Sequence, residues 1–230
     1  MNTTHRIVNT LTILRVRFLS LFLRYSPRMP AWAPTWVPDA TERRPMTLEE
    51  WASLPEDAEG ELVDGYVVEE EVPDPAHEMT AAWLVALFVN WLRGRGGFVF
   101  GSETKLRVSS RRGRKPDVVV YLPGAAVPPR RGLLTSPPSI LVEIVTPTPR
   151  DERRDRVEKM DDYAALGVPY YWLLDPALGS LEIFELTSDR RYARVLAATG
   201  GHLDAVPGCP ELVIDLDELW REIERLGPEA

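Results

Sequence analysis

From Met46 onward, apolar and polar residues alternate between two periods, and each change of period marks an element. Thr47 followed three residues later by Glu50 is a capping-box pattern and predicts a short helix over 47–54. Residues 61–70 predict a β-hairpin that turns at Asp64-Gly65. After the Pro73-Asp74-Pro75 break, Ala81, Leu84, Val85, Phe88 and Trp91 recur at helical spacing and predict a helix over 77–93, ended by Gly94, Gly96 and Gly97. Apolar runs at 98–108, 117–122 and 140–145 predict strands, the last two separated by a Pro/Arg/Gly loop over 123–138. A charged helix is expected over 150–166, stopped by Gly167 and Pro169, then strands over 170–174 and 181–186, and a short polar helix from Leu216. Helices interspersed among strands predict an α/β (α+β) fold, a mixed sheet packed by helices.

Charge divides the chain. The total is −8 over 230 residues. Residues 1–45 hold seven Arg against Asp39 and Glu42, a balance of +5 that leaves −13 for the remainder. Arg15, Arg17 and Arg24 interrupt the apolar run ILRVRFLSLFLRY, so a membrane-spanning helix is not expected there. Residues 1–45 therefore read as an N-terminal extension, poorly ordered or accessory, and 46–230 as the folded domain. With 44% hydrophobic residues the chain can bury a full core. Its single cysteine, Cys209, excludes an intramolecular disulfide or a cysteine-rich zinc site and agrees with a reducing, cytoplasmic setting. An acidic chain would need a local basic patch to hold nucleic acid.

Two residues disturb the apolar pattern. Asp117 heads the strand PDVVVYLP, and Glu143 lies inside SILVEIVTP. A carboxylate in a buried strand is costly unless it is paired or holds a cation. Two of them on successive core strands suggest a divalent-metal site. Alternation puts Leu141, Glu143 and Val145 on one face of their strand. His77 stacks by helical period over Ala81, Leu84 and Phe88, so it faces inward, as a core or capping histidine or as part of a site.

The stretches MTLEEWASLP, GELVDGYVV, PDVVV, VEIVTPTP and DRVEKMDDYAALGVPYYWLLDP, in this order, resemble the PD-(D/E)XK nuclease superfamily and, within it, the Uma family of restriction endonuclease-like proteins. The resemblance runs from about Met46 to Leu219. It implies a restriction endonuclease-like sheet flanked by helices, and Asp117 and Glu143 as ligands of Mg²⁺ or Mn²⁺. It places the motif's usual lysine at position 145, where this chain has Val145. Lys159, in the context Glu158-Lys159-x-x-x-Tyr163, matches a lysine that such relatives carry in the next helix. Glu61 matches an acidic residue before the hairpin turn. The helical wheel gives Lys159 a blander reading, since Val157, Met160 and Ala164 form the apolar stripe and Lys159 lies off it. Glu61 could equally be a surface carboxylate.

The function expected is metal-dependent endonucleolytic hydrolysis of DNA, with Asp117, Glu143, Lys159, Glu61 and His77 as catalytic candidates and a homodimer as one route to cutting both strands. A catalytically inactive nucleic-acid-binding or interaction module on the same fold is the alternative, favoured by Val145. A metal hydrolase of small phosphoesters would fit the same carboxylates. Arg111, Arg112, Arg114, Lys115, Arg130 and Arg131 could contact phosphates or could be solvated loop residues. Arg150, Arg153, Arg154 and Arg156 are expected to be neutralised by Asp151, Glu152 and Asp155. Tyr170-Tyr171-Trp172 reads as core strand, and Cys209 as no nucleophile.

Overall fold

The structure is a computed structural model and describes residues 44–55, 58, 60–69 and 73–227. The expectation for the N-terminal extension lies, apart from Arg44 and Pro45, outside the described residues. In chain order the elements are α1 (Leu48–Ala52), β1 (Glu61–Val63), β2 (Tyr66–Val68), α2 (Pro75–Leu92), β3 (Phe98–Phe100), β4 (Leu106–Ser109), β5 (Arg112–Arg114), β6 (Val118–Tyr121) and β7 (Ile140–Ile144). Then follow α3 (Pro149–Arg153), a π-helical turn (Arg154–Lys159), α4 (Met160–Leu166), β8 (Tyr170–Asp175), β9 (Ser180–Leu186), β10 (Tyr192–Ala198), β11 (His202–Leu203), β12 (Ile214–Asp215) and α5 (Leu216–Glu224).

The capping box at α1 forms as its sequence dictates: the Thr47 hydroxyl accepts from Glu50 N–H, and the Glu50 carboxylate accepts from Thr47 N–H. The β1–β2 hairpin turns at Asp64-Gly65, both with positive φ, the geometry such a two-residue turn requires.

A six-stranded sheet runs β10-β9-β8-β7-β6-β3. All its pairs are antiparallel except β7–β8. A parallel pair needs a long return connection, and residues 149–166 supply it as one helical arm. The central strands are buried on both faces, which is why they read as unbroken β-branched runs. Val118, Val120, Val142, Ile144 and Trp172 face α2 and α5, packing with Leu84, Phe88, Leu216 and Leu219. Val119, Leu141, Val145, Tyr171 and Leu173 face the other way, toward Tyr163 and Leu106. Tyr171 and Trp172 are fully buried, as the core-strand reading requires. No described helix is long and apolar enough to cross a membrane.

A second sheet, β2-β1-β5-β4, corrects two expectations. The run 98–108 is two strands, because the chain turns at Ser102-Glu103 and passes from the large sheet to the small one. The segment Arg112–Arg114, read as solvated or phosphate-facing, is strand β5. Gly113 makes this possible: a Cβ there would lie 2.2 Å from Trp51 Cζ3, so only glycine lets the indole lie on the strand. Gly113→Ala is expected to cost about 1–3 kcal/mol through that clash. Urea unfolding checks this, with an unchanged midpoint as the contrary result. Strand β10, for which no strand is expected from the sequence, lies at the sheet edge; its exposed positions Ala193, Val195 and Ala197 are as apolar as its half-buried Tyr192, Leu196 and Ala198, so no apolar–polar alternation marks it.

Cys209 is buried in the α2-facing core, and that burial pushes its thiol up to about 12. In the folded protein it should react with a thiol-specific disulfide reagent at mildly alkaline pH far more slowly than after denaturation. Equal rates would contradict this placement.

Candidate active site

The register of β6 and β7 positions the first two groups. Val118 pairs with Val142, so one step outward Asp117 stands across from Glu143. Directly opposed antiparallel residues have Cβ atoms about 4.5–5.5 Å apart on one face. Pro116 and Asp117 precede the strand proper, and Asp117 Oδ2 accepts the Ile144 N–H at 2.7 Å. That bond fastens the start of β6 to the end of β7.

Helix α2 brings His77 to the same carboxylate. Pro75 occupies the first turn, and the Asp74 side chain caps it by accepting His77 N–H at 2.8 Å. His77 Nε2 lies 3.2 Å from Asp117 Oδ2. Burial opposes the imidazolium, but the hydrogen bond to Asp117 and the charges of Asp117, Glu78 and Asp74 outweigh it, so the histidine holds its proton above the usual range. Its Nδ1 is buried with no hydrogen-bond partner among the described residues.

Glu143 is 1% exposed, and both its oxygens are engaged. Oε2 lies 2.8 Å from Lys159 Nζ, and Oε1 accepts the Tyr163 hydroxyl at 2.5 Å. Lys159 also lies 3.3 Å from Asp155 Oδ1 and 3.8 Å from Glu61 Oε1. Burial works against the ammonium, but Glu143, Glu61, Asp155 and Asp117 hold it protonated well above the ordinary lysine range. Glu143 moves the other way from a simple ion-paired acid. Burial, together with the charges of Asp117, Asp155 and Glu61, outweighs Lys159 and raises its carboxyl well above the usual range. Asp155 is raised by burial and by Asp117 and Glu61. Tyr163, buried against Glu143 and Glu61, stays a proton donor.

The helical-wheel placement of Lys159 needs correction. Val157, expected in the apolar stripe, is 53% exposed, while Lys159 is 5% exposed. The reason is the π-helical turn Arg154–Lys159, whose wider ring shifts the inward face. Asp151, Asp155, Lys159 and Tyr163, spaced every four residues, are all buried. That polar period of four is the signal which could have revealed the inward face from sequence.

Glu61 is also buried, at 1% exposed, and is no surface carboxylate. Its Oε2 receives Arg114 Nη1 at 2.6 Å, and its Oε1 receives Lys115 N–H at 3.0 Å. Arg114 in turn donates to Asp162 Oδ2 through Nε and Nη2, at 2.9 and 2.6 Å. Arg112 bridges Asp162 Oδ1 at 2.6 Å to the Asp64 carboxylate on the surface. A ladder of alternating charge thus runs from Asp64 inward to Lys159. Arg111 reaches the Asp64 carbonyl. The self-neutralising pattern expected over 150–156 holds only in part. Arg154 pairs with Asp151, but Asp155 turns to Lys159, and Arg156 crosses to Asp175 and Glu182.

A pocket of about 120 Å³ opens on this cluster and is lined by His77, Asp117, Ile144, Asp155, Lys159 and neighbours. Glu143 and Glu61 are not among its lining residues; they contact Lys159, which is. Among the described residues, no group of three or more His, Cys, Asp or Glu side chains is set to hold a metal ion.

This sheet, its helical arm and the polar cluster at the β6–β7 strand ends define a restriction endonuclease-like fold. The fold is shared with a structure from Anabaena variabilis described as a putative nuclease, with a TM-score of 0.62 and 16% identity, over 78% of this chain and 99% of that one. The type IIG restriction endonuclease BpuSI also aligns, at 16% identity and a TM-score of 0.38, over 68% of this chain and 17% of that enzyme. Residues 46–217 match the Uma2 family, described as "Putative restriction endonuclease", and the chain belongs to that family. No curated protein matches it.

Proposed function

We propose that the chain is a Mg²⁺- or Mn²⁺-dependent endonuclease that hydrolyses phosphodiester bonds in DNA. The observation that carries this reading is the Lys159 ammonium, 2.8 Å from Glu143 at the pocket beside Asp117. It supplies from the helical arm the charge that Val145, buried in the core at 2% exposed, lacks. The donor set suits a hard divalent cation: the side chains are oxygen donors, and four carboxylates crowd one ammonium. Asp117 and Glu143 would hold the ion: each Glu143 oxygen accepts one described bond and so retains a lone pair, while Asp117 Oδ2 is taken by Ile144 N–H and His77, which leaves Oδ1 as the Asp117 donor. When bound, the metal supplies Lewis acidity toward water and phosphoryl oxygens.

The chain's own residues do the rest. Lys159 orients water and offsets negative charge that develops on the phosphoryl group. Glu143, Asp155 and Glu61 fix the position of that ammonium. Tyr163 keeps Glu143 oriented. His77 holds the Asp117 carboxylate and, with its raised affinity for a proton, remains a donor toward it. Glu61 acts through Lys159 and Arg114 as a positioning residue.

A second reading, an inactive nucleic-acid-binding module, draws on the lack of a three-ligand group among the described residues and on the two engaged oxygens of Glu143. Incubation of purified protein with plasmid and short duplexes across both metals separates the two. The nuclease reading expects cleavage that is lost in EDTA, in Asp117→Ala and in Glu143→Ala. DNA binding without metal, and no cleavage under any condition, would favour the module.

A further inference from the structure

The pocket holds two cations besides Lys159 that the proposed chemistry leaves unused. Arg154 opens the π-helical turn, and its side chain is only 10% exposed. Its Nη1 lies 3.1 Å from Asp151 Oδ1, and its Nη2 is 3.3 Å from the Glu69 carbonyl. A guanidinium carries five N–H donors in a planar fork, so among the described residues these contacts leave donors free. Lys115, two residues before Asp117, is 7% exposed and also lines the pocket. It reaches Glu103, whose carboxylate is mostly solvated, at 2.8 Å, and the Ala58 carbonyl at 3.2 Å. Burying a guanidinium and an ammonium is costly. Here both line one small pocket with Lys159, and its walls also carry Glu78, Glu103, Asp117, Asp151 and Asp155.

From this arrangement we infer that Arg154 and Lys115 form an oxyanion subsite that takes a non-bridging phosphate oxygen of the substrate, beside the carboxylates rather than among them. The ligand class is a tetrahedral phosphate, and its identification as a nucleic-acid phosphodiester rests on the nuclease reading. Among the described residues, the pocket lining offers charged and polar donors for a phosphate oxygen, and no Phe, Tyr or Trp on which a base could stack. The subsite would therefore recognise backbone and not sequence. Arg154, with its fork, is the main donor; Lys115 adds a point charge.

The test uses the full chain and inorganic phosphate in the presence of Mg²⁺, which offsets the carboxylate side of the pocket. Phosphate is titrated while amide and guanidinium NMR shifts around residues 115 and 154 are followed. Saturable binding is expected, weakened about 10-fold or more by Arg154→Gln and less by Arg154→Lys, which keeps the charge and loses the fork. If Arg154→Gln does not fold by its thermal melt, Arg154→Lys and Lys115→Gln carry the comparison. In a second arm, a short DNA duplex binds Asp117→Asn protein, and adding Arg154→Gln lowers the log–log salt slope by about 0.9, one phosphate contact. That slope would not change if Arg154 only braced the helical arm. Phosphate affinity equal in all folded variants, or no phosphate binding by the native chain, overturns the subsite. Arg154-dependent phosphate binding without cleavage of any DNA would leave the subsite standing and overturn the nuclease reading alone.

Discussion

On the nuclease reading, Lys159→Met is expected to abolish DNA cleavage, with a loss of at least about 10²–10³-fold, the scale seen when one preorganised electrostatic donor is removed. The argument rests on position. Among the described residues the ammonium is the single cation within 4 Å of Glu143, and it also meets Asp155 and Glu61. Methionine keeps much of the stem's volume and removes only the charge, so the helical arm keeps its packing. Glu143 already holds its proton more tightly than a free glutamate, and losing Lys159, the charge that opposes this, would strengthen that hold. Stability should consequently fall by less than the roughly 3–5 kcal/mol typical of a broken buried ion pair. Restoring a cation with Val145→Lys in the Lys159→Met background should recover part of the cleavage, because Val145 shares the Glu143 face of β7. Cleavage undiminished in Lys159→Met would return Lys159 to a structural role.

Arg114→Met is the most damaging single change expected for the fold. Arg114 is 1% exposed and joins Glu61 to Asp162, which lie 53 and 48 residues away in the chain. Burial lowers its affinity for a proton, but Glu61, Tyr163 and Asp162 outweigh it and hold the guanidinium charged above its ordinary range. Removing the guanidinium takes the closest cation from two buried carboxylates at once, leaving Glu61 with Lys115 N–H and the more distant Lys159, and Asp162 with Arg112. A loss of about 3–5 kcal/mol follows, enough to remove much of a typical domain's stability. Denaturant unfolding measures it. Arg114→Met with Glu61→Leu and Asp162→Leu together should lose far less than Arg114→Met alone, since no charge is then left unpaired. Equal losses would show that Arg114 contributes packing rather than charge balance.

These two side chains also mark how far the sequence could be read. The strands β6 and β7 were legible because both faces are buried and the chain there is β-branched. The opposition of Asp117 and Glu143 follows from an antiparallel register that two apolar runs fix between them. The His77 face followed from the period of α2, since that helix is regular over its 18 residues. Lys159 was not legible by a wheel, because a π turn breaks the α period just where it stands. Arg114 and Arg112 left no local mark. Their carboxylate partners lie in β1, its turn and the helical arm, so in sequence they look like any basic loop. Glu61 was open for the same reason, its hydrogen-bond partners arriving through β5 and the segment that follows it, and Lys159 through the helical arm. Asp155 was assigned to neutralise nearby arginines, which is the cheaper explanation when only neighbours along the chain are in view.

The most direct measurement is a crystal structure of the protein with Mn²⁺, read by anomalous scattering. The account predicts a peak at the β6–β7 strand ends, coordinated by Asp117 and Glu143, with Lys159 still beside the Glu143 carboxylate and the peak absent in Asp117→Ala. No manganese at that position in fully loaded crystals, or manganese bound only at the surface away from both carboxylates, would contradict it.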